Sequence, residues 1–336
     1  MELNENAGLD TSQVEDMRGA GGGGSGGGGL GGLGGMFPRG GGGGLGGLGG
    51  KAGGGLIGLL VIGLIACLCF GGGKLGGMGN FGSLGGLGSD GQNDSSTVNN
   101  TSIQETCSVN NPDRFNNEAC RNLLYINSIQ NYWQSALPQL FGTPYQTATT
   151  RYFSGQVNTA CGPATAGVGP FYCPGDNHVY IDLSFYQELA NRFGAKGAFA
   201  QAYVLAHEYG HHVQSLLGIE PQVRRAQQRD PSNANAYSVL LELQADCFAG
   251  AWAANASRTT DANGQPLFKS LTTQDIQDAL NAAAAVGDDT IQQRSGMRVN
   301  EASFTHGSSA QRQQWTYKGY TTGDPRQCNT FGTSLS

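Results

Sequence analysis

Histidine and glutamate side chains suited to bind and use a metal ion are grouped in one short segment. It reads His207-Glu208-Tyr209-Gly210-His211, the pattern H-E-x-x-H, inside a stretch of helical character. Residues four apart lie one turn apart on one face of a helix, so the imidazoles of His207 and His211 can hold one metal ion from the same side. Glu208 is offset by one residue and can hold a water against that metal. The spacing predicts a zinc site of the hydrolase type, with Glu208 as general base.

The motif is short enough to arise by chance, but two features favour a metal site. The chain has 5 His among 336 residues, and three of them lie between positions 207 and 212. Apolar residues at 203, 204, 213, 216 and 217 give the same segment a packing face. His212 lies about 140° around the helix from His207. We therefore expect a structural role for His212, hydrogen-bonded to a neighbouring helix.

A second apolar helix, predicted between Asn233 and Ala256, carries two carboxylates four residues apart. Glu242 and Asp246 share one face of this helix and are surrounded in sequence by leucine, alanine and phenylalanine. The pair is either a solvated polar stripe or a buried functional pair. In the second case one carboxylate would be the third metal ligand. The other would orient a metal-binding histidine through its free ring N–H.

The two segments together resemble the gluzincin metallopeptidases, in which the glutamate of E-x-x-x-D completes the metal site. More narrowly, the blocks His207–Gln214 (HEYGHHVQ) and Glu242–Gly250 (ELQADCFAG) are similar to those of a bacterial neutral zinc metallopeptidase family. The resemblance covers about residues 100–335. It implies a zincin-like α+β fold, mainly helical with a small β-sheet.

The resemblance also implies the roles of individual residues. Zn²⁺ would be held by His207, His211 and Glu242, with Asp246 supporting the first histidine. A water activated by the metal would be deprotonated by Glu208 and would attack a peptide bond. The expected substrate is a peptide or protein.

His306 is the remaining candidate for a part in catalysis. The segment Phe304–Arg312 resembles the Thr-His-Pro-Ser…Arg block of the CAAX-prenyl-protease group of membrane metallopeptidases, although Gly307 stands in place of the proline. That resemblance implies a histidine that hydrogen-bonds the oxyanion of the tetrahedral intermediate. The alternative is that His306 only caps the helix that follows it. Asp288, in a loop between helices, is expected to be solvated.

Glycine sets the organisation of the first part of the chain. There are 57 Gly, and most lie between Gly19 and Gly91. Such a segment has too few apolar side chains to offset its ordering entropy, so we expect residues 1–54 to be a disordered tail and 74–102 a linker. Residues 103–336 have an ordinary composition for one compact domain. The net charge of -6 and the lack of basic clusters argue against nucleic acid as a partner.

The strongest apolar run, Leu56–Phe70, lies inside the glycine-rich part. With its uncharged flanks it reaches the length of a bilayer, which predicts a single transmembrane helix over residues 55–73 preceding the domain. A buried helix and a lipoprotein signal are the alternatives. Three basic residues precede the run and one follows it closely. This asymmetry predicts a cytoplasmic N-terminus and an extracytoplasmic, periplasmic or extracellular, catalytic domain.

Six cysteines follow the apolar run, an even number that predicts disulfides in an exported domain. No C-x-x-C pair is present, which disfavours a second zinc site built from thiolates. Fifteen pairings are possible. Closeness in sequence favours Cys107–Cys120 and Cys161–Cys173, which leaves Cys247–Cys328.

The elements that must position the site follow from periodicity and turn residues. A helix between Cys107 and Leu140, a strand within Tyr145–Gln156, a hairpin over 171–182 and a short helix Leu183–Arg192 precede the motif helix. The edge of the nearby strand could receive an extended peptide. We therefore expect a membrane-anchored zinc endopeptidase. The alternative is a non-catalytic extracytoplasmic binding domain stabilised by zinc, and a hydrolase of another bond also stays open. The base Glu208 disfavours a purely structural site, which needs none.

Overall fold

Nine α-helices and eight short strands form the part of the chain that the computed structural model describes, residues 1–19 and 100–332. The helices are α1 Asn100–Thr106, α2 Glu118–Phe141, α3 Phe185–Arg192, α4 Ala198–Leu216, α5 Ile219–Arg229, α6 Ala234–Asn255, α7 Thr273–Ala285, α8 Asp288–Arg294 and α9 Ser309–Thr322. The strands are β1 Glu2–Leu3, β2 Val14–Asp16, β3 Thr149–Tyr152, β4 Gln156–Thr159, β5 Gly162–Thr165, β6 Phe171–Cys173, β7 His178–Ile181 and β8 Phe268–Ser270. The described residues confirm the expected mainly helical α+β architecture, with three small sheets instead of one.

Helices α2, α4 and α6 form the centre of the hydrophobic core. Helix α2 starts at the cap of Asn117, whose side chain accepts a hydrogen bond from the Ala119 N–H, and ends at Gly142 in the left-handed conformation. Its buried face includes Trp133, which packs edge-on against Phe248 of α6 at 5.3 Å between ring centroids. The sequence predicted all three helices, since each carries a long apolar pattern.

The helix with the H-E-x-x-H motif, α4, lies unusually close to α6. Gly210 makes this possible, because a β-carbon at that position would lie 3.0 Å from the α-carbon of Ala245. Helix α9 crosses the other side of α6 in the same way, with Gly319 against the carbonyl of Cys247. Three helices therefore meet around the segment of α6 that carries Glu242 and Asp246.

The largest sheet has four strands in the order β2-β3-β7-β6. Strands β2, β3 and β7 run parallel, and β6 pairs antiparallel with β7 through the predicted hairpin. Strand β6 is an edge strand in this sheet, and it packs next to α4. The Cys161–Cys173 disulfide joins β6 to the small hairpin of β4 and β5.

The first 19 residues are part of the domain, so the expectation that they belong to a disordered tail is wrong. Strand β1 pairs with β8, and β2 completes the largest sheet beside β3. The buried guanidinium of Arg114 donates hydrogen bonds to the carbonyls of Glu5 at 3.0 Å and Ala7 at 2.6 Å. The missed signal is weak, since strands of two and three residues show no periodicity.

This packing also bears on the expected membrane arrangement. Residues in contact lie on the same side of any membrane, so a cytoplasmic N-terminus is incompatible with an exported domain to which that N-terminus is bound. The predicted transmembrane helix at 55–73 lies outside the described residues, and so does the predicted linker 74–102 up to residue 99; its last three residues belong to helix α1 and not to a linker. Among the described helices, none combines the length and the apolar character that crossing a bilayer requires.

All three predicted disulfides are present, which confirms the pairing expected from closeness in sequence. They join Cys107 to Cys120, Cys161 to Cys173 and Cys247 to Cys328. Disulfides form and persist in oxidising compartments, so they indicate an extracytoplasmic domain.

Replacing Arg114 tests the structural role of the N-terminal segment. We expect Arg114→Leu to lower the free energy of unfolding by about 2–4 kcal/mol, because several buried carbonyls lose their donor. Denaturant unfolding of the full chain measures this change. Arg225→Leu, at an exposed position on α5, is the matched control and should change stability by less than about 0.5 kcal/mol. Equal stability of the two variants would contradict the packing of residues 1–19 on the domain.

Candidate metal centre

Helices α4 and α6 bring His207, His211 and Glu242 together in the way that the spacing predicted. One ligand atom from each of the three side chains lies within 4.8 Å of the others. The Nε2 atom of His207 is 3.1 Å from Oε2 of Glu242, and Nε2 of His211 is 3.3 Å from Oε1 of the same carboxylate. Glu242 is buried, so its charge needs a positive partner at this point.

The donor atoms fit a zinc ion in number, type and spacing. Ligands at about 2.0–2.1 Å from a tetrahedral zinc lie about 3.3–3.4 Å from one another, close to the two nitrogen–oxygen distances above. The far ring nitrogens are occupied: Nδ1 of His207 is 2.7 Å from Asp246, and Nδ1 of His211 is 2.8 Å from Oε1 of Gln214. With the protons held there, both Nε2 lone pairs face the Glu242 carboxylate. A positive charge between these acceptors, from a metal ion or a shared proton, would compensate this arrangement.

Asp246 is fixed by three donors from two other helices. It accepts hydrogen bonds from the Tyr203 hydroxyl at 2.5 Å and from Nε and Nη2 of Arg312 at 2.8 and 2.9 Å, in addition to His207. Burial alone would raise the pKa of Asp246, but the charges and hydrogen bonds of Arg312 and His207 together outweigh burial and hold that pKa at about 2. The carboxylate therefore stays ionised and keeps the ring of His207 in one orientation.

The negative charges of Asp246 and Glu242 favour the protonated forms of His207 and His211. Burial lowers the pKa of His207, but the neighbouring Asp246 raises it more, to about 10. The pKa of His211 is also raised, because the Glu242 carboxylate outweighs burial. A metal ion bound here would replace the proton, as metal binding to histidine requires.

Glu208 faces the cleft beside this cluster and is not one of the three clustered ligands. Its Oε2 accepts a hydrogen bond of 3.1 Å from the backbone N–H of Tyr172 on the edge strand β6. Burial raises the pKa of the Glu208 carboxyl above its usual value, even though the two nearby histidines act in the opposite direction. A carboxylate with a raised pKa is better suited to accept and return a proton near neutral pH.

His306 lines the same cleft, and Asp288 holds its ring. Oδ1 of Asp288 is 3.1 Å from Nδ1 of His306, while Oδ2 accepts the backbone N–H groups of Thr305, His306 and Gly307 at 2.7–3.0 Å. Asp288 is thus buried and fully engaged, so the expectation that it is solvated is wrong. Since Nδ1 is occupied, Nε2 of His306 is the ring nitrogen that remains to face the cleft.

His212 has the structural role expected, but with other partners. Its Nε2 is 2.6 Å from the carbonyl oxygen of Gln146, in the loop before β3, and its Nδ1 is 3.3 Å from the Tyr172 hydroxyl. Neither partner belongs to a helix, so that part of the expectation is wrong. Burial lowers the pKa of His212 to about 4, which keeps the ring neutral.

Sequence reasoning missed two residues that hold the site, Arg312 and Asp288. Arg312 lies 66 positions along the chain from Asp246, the residue that it supports. Asp288 lies in a segment without periodicity. The only signal for Arg312 was its place at the end of the Thr-His-Pro-Ser…Arg resemblance. Asp288 gave no signal of its own.

A cleft runs along α4 past the cluster. It is lined by the segment 167–174, which includes the edge strand β6, and by residues of α3, α5, α8 and the loop of His306. Both histidines, Glu208 and Glu242 open into this cleft. These features form a candidate metal centre of the H-E-x-x-H type, with Glu242 as the third candidate ligand, set in an open groove.

The chain belongs to the family described as "Putative neutral zinc metallopeptidase", which it matches over residues 4–331. The family expected from the two motif blocks is therefore confirmed. The match begins close to the N-terminus and so includes the segment that packs on the domain.

The chain is similar to proteins from two mycobacteria and from Escherichia coli. The uncharacterized proteins of Mycobacterium bovis and Mycobacterium tuberculosis are each 51% identical over 214 residues, which cover 63% of this chain and 70% of the relative. The uncharacterized protein YpfJ of Escherichia coli is 51% identical over 195 residues, which cover 58% of this chain and 65% of that relative. No solved structure matches the chain.

Metal content tests the ligand set directly. We expect the purified wild-type protein to hold about one zinc per chain, and His211→Ala to lose it, because two remaining ligands bind zinc far more weakly than three. Elemental analysis after dialysis measures the stoichiometry. Glu208→Gln is the matched control on the same helix and should retain its zinc. A fully loaded His211→Ala protein would contradict the assignment.

Proposed function

We propose that this protein is a zinc-dependent endopeptidase that acts outside the cytoplasm. The observation that carries the proposal is the position of Glu208, a half-buried carboxylate left free of the ligand set beside a three-residue cation site in an open cleft. A site that only stabilises the fold needs no such base. Membership of the metallopeptidase family supports the same conclusion.

The residues of the cleft can carry out each step of amide hydrolysis. Zinc, when bound, would polarise the scissile carbonyl and lower the pKa of a water molecule. Glu208 would take the proton from this water and pass it to the leaving amine, as its raised pKa suits. His306, when both of its ring nitrogens carry a proton, would donate from Nδ1 to Asp288 and from Nε2 to the oxyanion. Asp246 and Arg312 would keep His207 in place throughout.

The shape of the cleft supports action on the interior of a peptide. The groove continues past the ligands in both directions along α4, from Val204 to Gln214. The free edge of β6 lies along it, and an extended peptide can add to such an edge through backbone hydrogen bonds. Helices α4 and α6, which supply His207, His211 and Glu242, and the neighbouring edge strand β6 also support the zincin-like fold expected from the sequence.

The disulfides support a location outside the cytoplasm, and the apolar run at 55–73 supports attachment to a membrane. We propose that this run holds the domain at the membrane surface.

Removal of the base tests the peptidase activity. We expect Glu208→Gln to lower kcat by about 10²–10⁴-fold on casein or a peptide library, because the carboxylate beside the three ligands that is free to accept the proton of the water is lost. Zinc content should not change. Glu105→Gln, at an exposed position on α1, is the control and should match the wild type. If the wild type and Glu208→Gln are equally inert with zinc bound, the alternative of a non-catalytic binding domain is supported instead.

The role of His306 can be separated from a structural role by comparing two variants. His306→Ala removes the donor and should lower kcat by about 10²-fold with little change in KM, since the oxyanion exists only in the transition state. His306→Gln retains an N–H donor and should recover part of that loss. Steady-state kinetics on one fluorogenic peptide give both constants. An equal loss in both variants, or a change in KM alone, would assign His306 to capping or substrate binding.

A further inference from the structure

The ring of His211 is held in a different way from the ring of His207. Nδ1 of His207 is 2.7 Å from the charged Asp246. Nδ1 of His211 is 2.8 Å from Oε1 of Gln214, which is a neutral amide. The side chain of His211 is also the more exposed of the two histidines, at 16% against 7%. Since a metal-binding histidine is oriented by the partner of its other ring nitrogen, the orientation of His211 depends on what holds Gln214.

Two buried acceptors hold the amide of Gln214 in one orientation. Its Nε2 donates to the carbonyl of Leu241 at 2.7 Å and to Oε1 of Gln244 at 3.1 Å. Because the amide nitrogen faces these acceptors, Oε1 is the atom that remains for His211, and this atom can only accept. The ring proton of His211 is thus fixed on Nδ1, and Nε2 keeps its lone pair towards Glu242.

The same argument extends from Gln244 to the C-terminal segment, residues 324–332. Nε2 of Gln244 donates to the carbonyl oxygen of Cys328 at 3.1 Å, 84 positions further along the chain. A carbonyl cannot donate, so it fixes the amide nitrogen of Gln244 on its own side and leaves Oε1 for Gln214. These three hydrogen bonds, the glutamine relay, therefore run in one direction from the ring of His211 through two amides to a carbonyl.

The disulfide between Cys247 and Cys328 fixes the far end of the glutamine relay. It joins the C-terminal segment to α6 about one turn beyond Gln244, and both cysteines are fully buried. The hydroxyl of Thr330 ties the segment to α6 a second time, by a bond of 2.6 Å to the carbonyl of Leu240. Packing alone does not hold Gln244, because it lines a cavity of about 260 Å³ beside the C-terminal segment. The covalent tie keeps the Cys328 carbonyl within hydrogen-bond distance.

We infer that Gln214 and Gln244 are positioning residues for His211, and that the Cys247–Cys328 disulfide sets the affinity for zinc through them. The inference rests on the metal site of the proposed function and does not need the peptidase activity. A ring that can rotate, or that can carry its proton on Nε2, binds zinc more weakly. Reduction of this disulfide would therefore weaken zinc binding without removing a ligand, which makes the site sensitive to the redox state of its compartment.

The zinc affinity of glutamine variants tests the glutamine relay. We expect Gln214→Leu in the full chain to raise the Kd for zinc by about 10- to 100-fold, because His211 loses the acceptor of its ring proton. Gln244→Leu should raise the Kd in the same direction by a smaller factor. Competition with a chelator of known affinity measures both. Gln130→Leu on α2 is the matched control, since Gln130 is also buried with three hydrogen bonds, and it should lower stability without changing the Kd.

A conservative variant separates positioning from a structural role. Gln214→Glu keeps an acceptor for His211 but loses the donor to Leu241 and Gln244. It should recover most of the zinc affinity, while the zinc-free protein stays less stable than the wild type in denaturant unfolding. A Kd that simply follows stability across all these variants would overturn the inference.

Removal of the disulfide tests the far end of the glutamine relay. We expect Cys247→Ala with Cys328→Ala to raise the Kd for zinc in the same way as Gln244→Leu. Cys107→Ala with Cys120→Ala removes the disulfide between α1 and α2 and should leave the Kd unchanged. Equal Kd values for the wild type and the Cys247/Cys328 variant would overturn the role of this disulfide. Gln244→Leu keeps the test available if that double variant does not fold.

The same measurements distinguish this inference from the proposed function. A wild type that binds zinc, shows the expected order of Kd values and cleaves no peptide would contradict the proposed function and leave the glutamine relay standing. Peptide cleavage by a wild type whose Kd does not respond to Gln214→Leu would overturn the relay and leave the peptidase standing.

Discussion

Two carboxylates buried on one helix impose the main physical constraint on this protein. Glu242 and Asp246 lie on α6 with almost no exposed surface. A buried carboxylate is stable only when charges or donors compensate it. Asp246 receives Tyr203 and His207 from α4 and Arg312 from α9, and Glu242 faces two imidazoles. Helices α4, α6 and α9 must therefore pack so that these charges and donors reach the two carboxylates.

Small residues at the helix crossings allow this compensation to occur. Gly210 lets the backbone of α4 approach Ala245, and Gly319 does the same for α9 against Cys247. With larger side chains the helices would move apart, and hydrogen bonds of less than 3 Å could no longer join them. The glycine within H-E-x-x-H thus controls the distance to the third ligand, although it takes no part in the chemistry.

The sequence was sufficient to predict which functional side chains lie together on one face of α4 or of α6, because four-residue spacing alone determines which side chains share a face. It predicted the pairs His207 with His211 and Glu242 with Asp246 for this reason, and it predicted the disulfides from closeness in sequence. It did not predict the hydrogen bonds of Asp288, since a loop of fixed shape brings three backbone N–H groups to that carboxylate. The two N-terminal strands were missed because pairs of such short strands depend on partners far away in the chain.

The pairing of the N-terminus with distant parts of the chain affects how the domain folds. The Asn4 side chain donates to the carbonyl of Pro266, and these residues are 262 positions apart. Contacts of such long range form late, because a large loop must close first. Until β2 arrives, β3 presents an unpaired edge on which another chain could add a strand. Residues 1–19 are thus among the last to be fixed, and their strand β2 covers the edge of β3.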